Sequence, residues 1–417
     1  MTSRSPSANA ARFLFLHTAE LEPTVLDSQI VDSIVALGAH GLRFDMAVLL
    51  HGNPYVHEFR YNRRRQREIE DRIGGRVRIY LTPQKMKPVG DAVGTAELAL
   101  ELVRGGRGRR TVIHARGETA GFYANQVMRL GLDVRYVYDV RGDSEAEFLY
   151  QAEEFGYDER RRAASLPGIE RHGLAAAHGA SAIWCVSAVL RDRICARYGC
   201  DPAIMSVIPC VADEHKFYPD DAEREATRRE LGLANKFVVV FPGRLGRWHC
   251  GPEMLALVQG LMKAYEDVHF LVLTPDVDEG TRMAAAALPE GRYDVRSARH
   301  TEVPRFLRAA DLGLLLREAH PLNEVACPTK FGEYVSCGLP VLISAGIGDC
   351  SRFVAENRAG VVLERPDPAV AVAALPTLRS EPSAERRARI SSSAGIFSRE
   401  RAAREMAEVY RRLASAD

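Results

Sequence analysis

From residue 12 onward, short apolar runs rich in β-formers alternate with longer stretches of helical periodicity. Runs that are apolar throughout become strands covered on both faces, and strands separated by helices lie parallel. Seven such runs come first: Phe13 to His17, Phe44 to Leu50, Val77 to Leu81, Thr111 to Ala115, Val134 to Val140, Ala182 to Val186 and Met205 to Ile208. Helical patterns fill the gaps, among them Leu26 to Leu37, Glu58 to Ile73, Asp91 to Val103 and Thr119 to Leu130, and several stop at glycine. After a polar stretch, Pro209 to Asn235, six more runs follow: Phe237 to Phe241, Val268 to Leu273, Tyr293 to Ser297, Leu312 to Leu316, Leu339 to Ile343 and Gly360 to Leu363. The expectation is an α/β chain of two doubly wound, Rossmann-like domains facing a central cleft at the carboxyl ends of their strands.

A chain of 417 residues suits two cores better than one. The expected division is residues 1–215, 216–395 and a last helix in 396–417. Composition excludes several classes of function. With 46% hydrophobic and 27% charged residues, the chain is of the soluble globular type, and a net charge of +1 gives no bulk attraction to nucleic acid or membranes. One local basic run stands out, Arg63, Arg64, Arg65 and Arg67. The eight cysteines form no C-x-x-C pair and no paired metal-ligand spacing, so neither structural disulfides nor a metal is expected. The first residues are polar and no apolar run is long enough for a signal or a membrane span, which points to the cytoplasm.

The stretch Pro328 to Ser344 reads P-T-K-F-G-E-Y-V-S-C-G-L-P-V-L-I-S. Its proline opens a helix, with Thr329 and Lys330 in the first turn and Glu333 one turn further on. Free N–H groups and a lysine at a helix mouth suit a phosphate, and a carboxylate on the same face accepts hydrogen bonds from sugar hydroxyls. The alternative reading is a solvated Lys–Glu pair. Gly243, Arg244 and Arg247 follow the strand Phe237 to Phe241 directly, where glycine allows close approach and guanidinium matches phosphate. Glu324 lies in the polar segment Arg317 to Cys327, after the strand Leu312 to Leu316; it is either a sugar contact or a loop charge. In the first series, His114 and the pair Asp139 and Arg141 end strands, and histidine is the group that titrates near neutrality. The opposing reading is that Asp139 and Arg141 merely pair with each other.

There is no G-x-x-x-x-G-K, and Gly346-Ile-Gly348-Asp349 lacks the third glycine of a dinucleotide fingerprint. Asp276-Val-Asp278 has a D-x-D spacing, but its place after a strand makes it a helix-capping turn.

The second half resembles the donor-binding half of glycosyltransferases of the GT-B fold, closest to glycosyltransferase family 4. The resemblance rests on G-R-L at 243–245, E-V-P-R-F-L-R-A-A-D-L-G-L at 302–314, P-T-K-F-G-E-Y-V-S-C-G-L-P-V at 328–341 and G-I-G-D at 346–349. W-C-V-S-A-V-L at 184–190 and S-V-I-P-C-V-A-D-E-H-K-F-Y-P at 206–219 extend it more loosely, and the last helix is similar to a tail that crosses back onto the first domain. It implies a retaining transfer from a UDP- or GDP-sugar, used as substrate, with no bound cofactor and no metal. It makes Glu333 the ribose carboxylate and Arg244 the diphosphate arginine. The family often has a glutamate eight positions before the ribose carboxylate and a lysine five after the arginine; here those places hold Val325 and His249. Lys330 is the candidate for the missing charge.

The expected function is therefore glycosyl transfer to a glycan, lipid-linked or small-molecule acceptor in glycoconjugate or polysaccharide synthesis, without nucleic acid and with a peripheral membrane contact. Gly243, Arg244, Arg247, Glu324, Thr329, Lys330 and Glu333 bind the donor in this reading, and His114, Asp139 and Arg141 serve catalysis. A sugar-nucleotide epimerase or hydrolase on the same fold, and a non-catalytic two-lobed sugar binder, are the alternatives.

Overall fold

The computed structural model describes residues 11–19, 21–22, 25–51, 58–83, 87–106, 108–381 and 383–415. The chain divides into two compact units, one reaching to Ile208 and taking in the chain from Ala402 onward, the other Pro209–Arg401.

In the first unit seven parallel strands, β1 (Arg12–His17), β2 (Phe44–His51), β3 (Val77–Thr82), β4 (Thr111–Arg116), β5 (Val134–Val140), β6 (Ala182–Cys185) and β7 (Met205–Val207), lie in the order β3-β2-β1-β4-β5-β6-β7. The order reverses between β1 and β4, which pair in register from Arg12↔Thr111 to Leu16↔Ala115. The expected helix Leu26 to Leu37 is a wide π turn, Leu26–Val31, running into an α-helix, Asp32–Ala39. The C-terminal helix Arg399–Ser415 has an apolar stripe, Ala402, Ala403, Met406, Ala407, Tyr410 and Leu413, at helical spacing, and all six are buried.

The second unit has six parallel strands: β8 (Phe237–Pro242), β9 (Val268–Leu273), β10 (Tyr293–Arg296), β11 (Leu312–Leu315), β12 (Val341–Ser344) and β13 (Gly360–Leu363). Their order is β10-β9-β8-β11-β12-β13, so the winding reverses between β8 and β11, which pair at Leu312↔Val239 and Gly313↔Val240. Both faces are covered: Phe306, Phe331, Tyr334 and Val335 pack in one core with Val240 and Ile343, while Met254, Leu257 and Leu261 join Phe241 and Phe270 in the other. The last turn of the Thr329–Ser336 helix closes through Gly338, at φ 70°, with Leu339 N–H bonding the Tyr334 carbonyl at 2.9 Å. That turn and Pro340, which has no N–H to give, move the strand expected from Leu339 to start at Val341.

Candidate functional site

The loop after β8 and the start of the Thr329–Ser336 helix meet around the ring of Phe241. Pro328 stands just before the helix with extended backbone, one place earlier than expected, and no side chain caps the helix mouth. Phe331 fixes the helix, its ring set edge-on to Phe353 and Phe397 at 5.6 and 5.3 Å. Lys330 on the first turn therefore has a defined place. Its Nζ lies 4.3 Å from the centre of the Phe241 ring, and a Cβ on Gly243 would come within 2.8 Å of it. Gly243 has φ 153°, so the glycine is required by both backbone and space.

The Lys330 amino group is buried and has no hydrogen-bond partner among the described residues. Burial drives its pKa well below the ordinary lysine range, with Arg317 adding to the effect and Glu333 opposing it. Glu333 is only 7% exposed. Burial raises its carboxyl to about 7, although Lys330 and Arg399 pull it down. His249 closes the other side, its ring edge-on to Phe241 at 5.3 Å. Burial, Lys330 and Arg317 hold it down to about 2, so it is a neutral ring near pH 7. The arrangement is a buried carboxyl beside a buried amine, and the amine's unused hydrogen-bonding capacity is costly unless something occupies it.

The other expected donor residues are placed differently. Arg244 is mostly exposed, and its Nε donates to Asp276 Oδ2 at 2.6 Å. Asp276 does stand at the start of the Val277–Ala287 helix, but its carboxylate takes this guanidinium instead of capping the helix. Arg247 approaches Glu318 at 3.8 Å. Thr329 opens the lysine-bearing helix, and Glu324, itself exposed, ends the half-buried single helical turn Pro321–Glu324 beside the fully buried Val325. Arg317 was passed over by sequence reasoning as one charge in a polar segment. The sequence showed only that it follows the apolar run Leu312 to Leu316; the sheet order is what sets it beside the β8 loop. Its Nη1 donates to the Trp248 carbonyl at 2.5 Å, and with Leu245, Arg247, Cys250, Glu318 and Ser344 it lines a cavity of about 640 Å³. Among the described residues no group of three or more His, Cys, Asp or Glu side chains is arranged to hold a metal ion.

In the first unit, His114 and Asp139 do come together, but inside. His114 is 5% exposed, stacked on Phe15 at 4.1 Å. Its Nδ1 lies 2.5 Å from the Tyr410 hydroxyl of the C-terminal helix and its Nε2 lies 3.2 Å from Asp139. Accepting from Tyr410 and donating to Asp139 satisfies both nitrogens. Burial lowers the histidine pKa below its ordinary value despite Asp139. Burial would raise Asp139, but Arg141, His114 and Arg116 together overcome it and hold the carboxyl low, with Arg116 and Arg141 at 3.1 and 3.3 Å. These surroundings fit a packed anchor for the last helix better than a proton-transfer group facing substrate.

Two family models match the chain in tandem, Glycosyltransferase Family 4 over residues 36–216 and Glycosyl transferases group 1 over 223–395. The chain belongs to the family 4-like glycosyltransferases. A D-inositol 3-phosphate glycosyltransferase 1 of Catenulispora acidiphila is 29% identical over 192 residues, 43% of this chain and 44% of that protein. A D-inositol 3-phosphate glycosyltransferase of Geodermatophilus obscurus is 28% identical over 196 residues, 43% and 41% of the two chains. The aligned part of this glycosyltransferase thus spans less than half the length of these curated relatives. Among solved structures, Anabaena Alr3699/HepE in complex with UDP superposes with a TM-score of 0.69 at 15% identity, covering 96% of this chain and 99% of that one. WaaG, a glycosyltransferase involved in lipopolysaccharide biosynthesis, does so with 0.63 at 15%, covering 95% and 99%. These likenesses establish the GT-B fold.

Proposed function

We propose that this glycosyltransferase moves a sugar from a nucleoside-diphosphate donor to an acceptor hydroxyl, the second unit holding the donor and the first serving the acceptor. The observation that carries the reading is the buried, unbonded amino group of Lys330 one turn from the buried carboxyl of Glu333, at an uncapped helix mouth. A phosphate would bring acceptors to the amine and to the helix N–H groups, and ribose hydroxyls would bring donors to Glu333. Lys330 thereby takes the part that the family gives to a lysine where this chain has His249. Arg244 would move from Asp276 to the diphosphate.

In the reaction the sugar–phosphate C–O bond breaks and its electron pair goes to the diphosphate. Fixed cations there stabilise the developing charge. For a retaining transfer the acceptor oxygen bonds the same face of the sugar carbon, and its proton passes to the departing phosphate. Side-chain cations supply the charge in this scheme, without a metal. The solved complexes of Anabaena HepE contain UDP and UDP-glucose, which makes a UDP-sugar the first donor to try. The acceptor is a glycan, a lipid-linked sugar or a small polyol.

Calorimetry with UDP and GDP tests the donor reading. Lys330→Met and Glu333→Ala should each weaken nucleotide binding by about tenfold or more, the loss of a charge-assisted hydrogen bond. Unchanged affinity in both variants would overturn it. Turnover of UDP-glucose without an acceptor would instead favour an epimerase or hydrolase.

A further inference from the structure

The Lys330 amine is not the only basic group at this site. Lys330 reaches the Phe241 ring from the 329–336 helix, and Arg317 reaches the same 241–249 loop from the end of β11, its guanidinium bonded to the Trp248 carbonyl and lying 5.2 Å from the centre of the Trp248 ring. Arg317 is 8% exposed. β11 and β8 are neighbours at the winding switch, so the residue after one strand and the loop after the other are adjacent by topology. Two like charges buried near each other repel, and the effect reaches His249 as well as Lys330. A bound anion with two separated charges would turn that repulsion into two attractions, where a singly phosphorylated ligand would engage only one. The cavity lined by Arg317 and Arg247 leaves room for it on the Arg317 side.

We infer that Arg317 is a further phosphate-binding residue of the donor site, beside Lys330 and Arg244, and that together with Lys330 it selects nucleoside diphosphates over monophosphates. This rests on the donor reading above. The guanidinium is held by the Trp248 carbonyl and indole, so it is placed before the ligand arrives, with little side-chain freedom left to lose. Arg317 differs in this from Arg244, which is exposed and must leave Asp276 to bind.

The experiment measures Kd for UDP and UMP, and for GDP and GMP, by calorimetry on the full chain. It compares wild type, Arg317→Met and Arg317→Lys, with thermal unfolding of each in parallel. Wild type should prefer the diphosphate by about tenfold or more, as expected for one additional charged hydrogen bond. Arg317→Met should lose most of that margin through weaker diphosphate binding while monophosphate affinity stays within about threefold. Arg317→Lys should keep a large part of the margin. A merely structural arginine, holding the Trp248 carbonyl, would weaken both ligands together and leave their ratio unchanged, and that outcome overturns the inference. A preserved ratio in Arg317→Met with wild-type affinities overturns it too and leaves the donor reading standing. Failure of wild type to bind any of the four nucleotides removes both.

Discussion

At the scale of single residues, Glu333 gives the second unit a pH response near neutrality. Burial raises its carboxyl from 4.5 to about 7, so the folded chain holds this proton more tightly than the unfolded chain. The corresponding stability is complete below the unfolded value and is lost as pH climbs through about 7, by up to about 3 kcal/mol. Glu147, also raised to about 7 by burial and by Glu118, acts in the same direction. Lys330, held well below its ordinary range, works in the opposite sense, adding stability as pH rises toward that range. Melting temperature measured from pH 5 to pH 8 should therefore fall less in Glu333→Gln than in wild type, and identical profiles would count against a buried, proton-holding Glu333. Lys330 and Glu333 were legible in the sequence because helix geometry alone puts residues three apart on one face. Arg317, His249 and Asp276 were not, because their roles come from neighbours brought in by the sheet order. The Tyr410 hydroxyl on His114 comes from 296 positions away, and no local pattern predicts such a pair.

At the scale of elements, every strand expected from the sequence is present, since a doubly covered parallel strand needs an unbroken apolar run. The misses are at ends and in helices: the π turn at Leu26–Val31 and the late start of β12. The Thr329–Ser336 helix depends on Phe331, fully buried in its aromatic trio. Phe331→Ala should cost about 3–5 kcal/mol and weaken nucleotide binding as well, because the helix mouth loses its support. Denaturant unfolding with parallel UDP titration reads both. A second element is the helix Phe59–Ile73. Arg63, Arg64 and Arg67 are exposed on it, while Arg65 turns in to Asp27 at 2.8 Å. For a lipid-linked acceptor this face is the one we propose to meet an anionic surface. Replacing the three exposed arginines by glutamate should abolish co-sedimentation with phosphatidylglycerol vesicles and leave UDP binding intact; retained vesicle binding would exclude this face. Among the described residues no helix is long and apolar enough to cross a membrane.

At the scale of the whole molecule, two parallel sheets each reverse their winding at one point, β1 against β4 and β8 against β11, and in the second unit the candidate site lies at that reversal. The first unit is completed by the C-terminal helix. Tyr410 touches the rings of Phe13, Phe44 and Trp184 at centroid distances of 6.1, 5.1 and 5.4 Å, besides bonding His114. Tyr410→Phe leaves His114 Nδ1 without its donor and should cost about 1–3 kcal/mol in unfolding experiments. Ending the chain at Arg401 should do far more, exposing this aromatic face and unfolding the first unit while UDP binding in the second unit survives. Loss of UDP binding in that truncated chain would show that the division into units is not an energetic one.

The helix that closes the first unit also sets a schedule for synthesis. Translation supplies the strands of that unit first, then all of Pro209–Arg401, and only afterwards Met406, Tyr410 and Leu413. The nascent first half must wait, with Trp184 and Phe44 lacking their cover, for as long as the second half takes to be made. Domains usually mature in the order they emerge from the ribosome. Here the second unit has its full sequence before the first does, so chaperones should engage the early half of the nascent chain for longest.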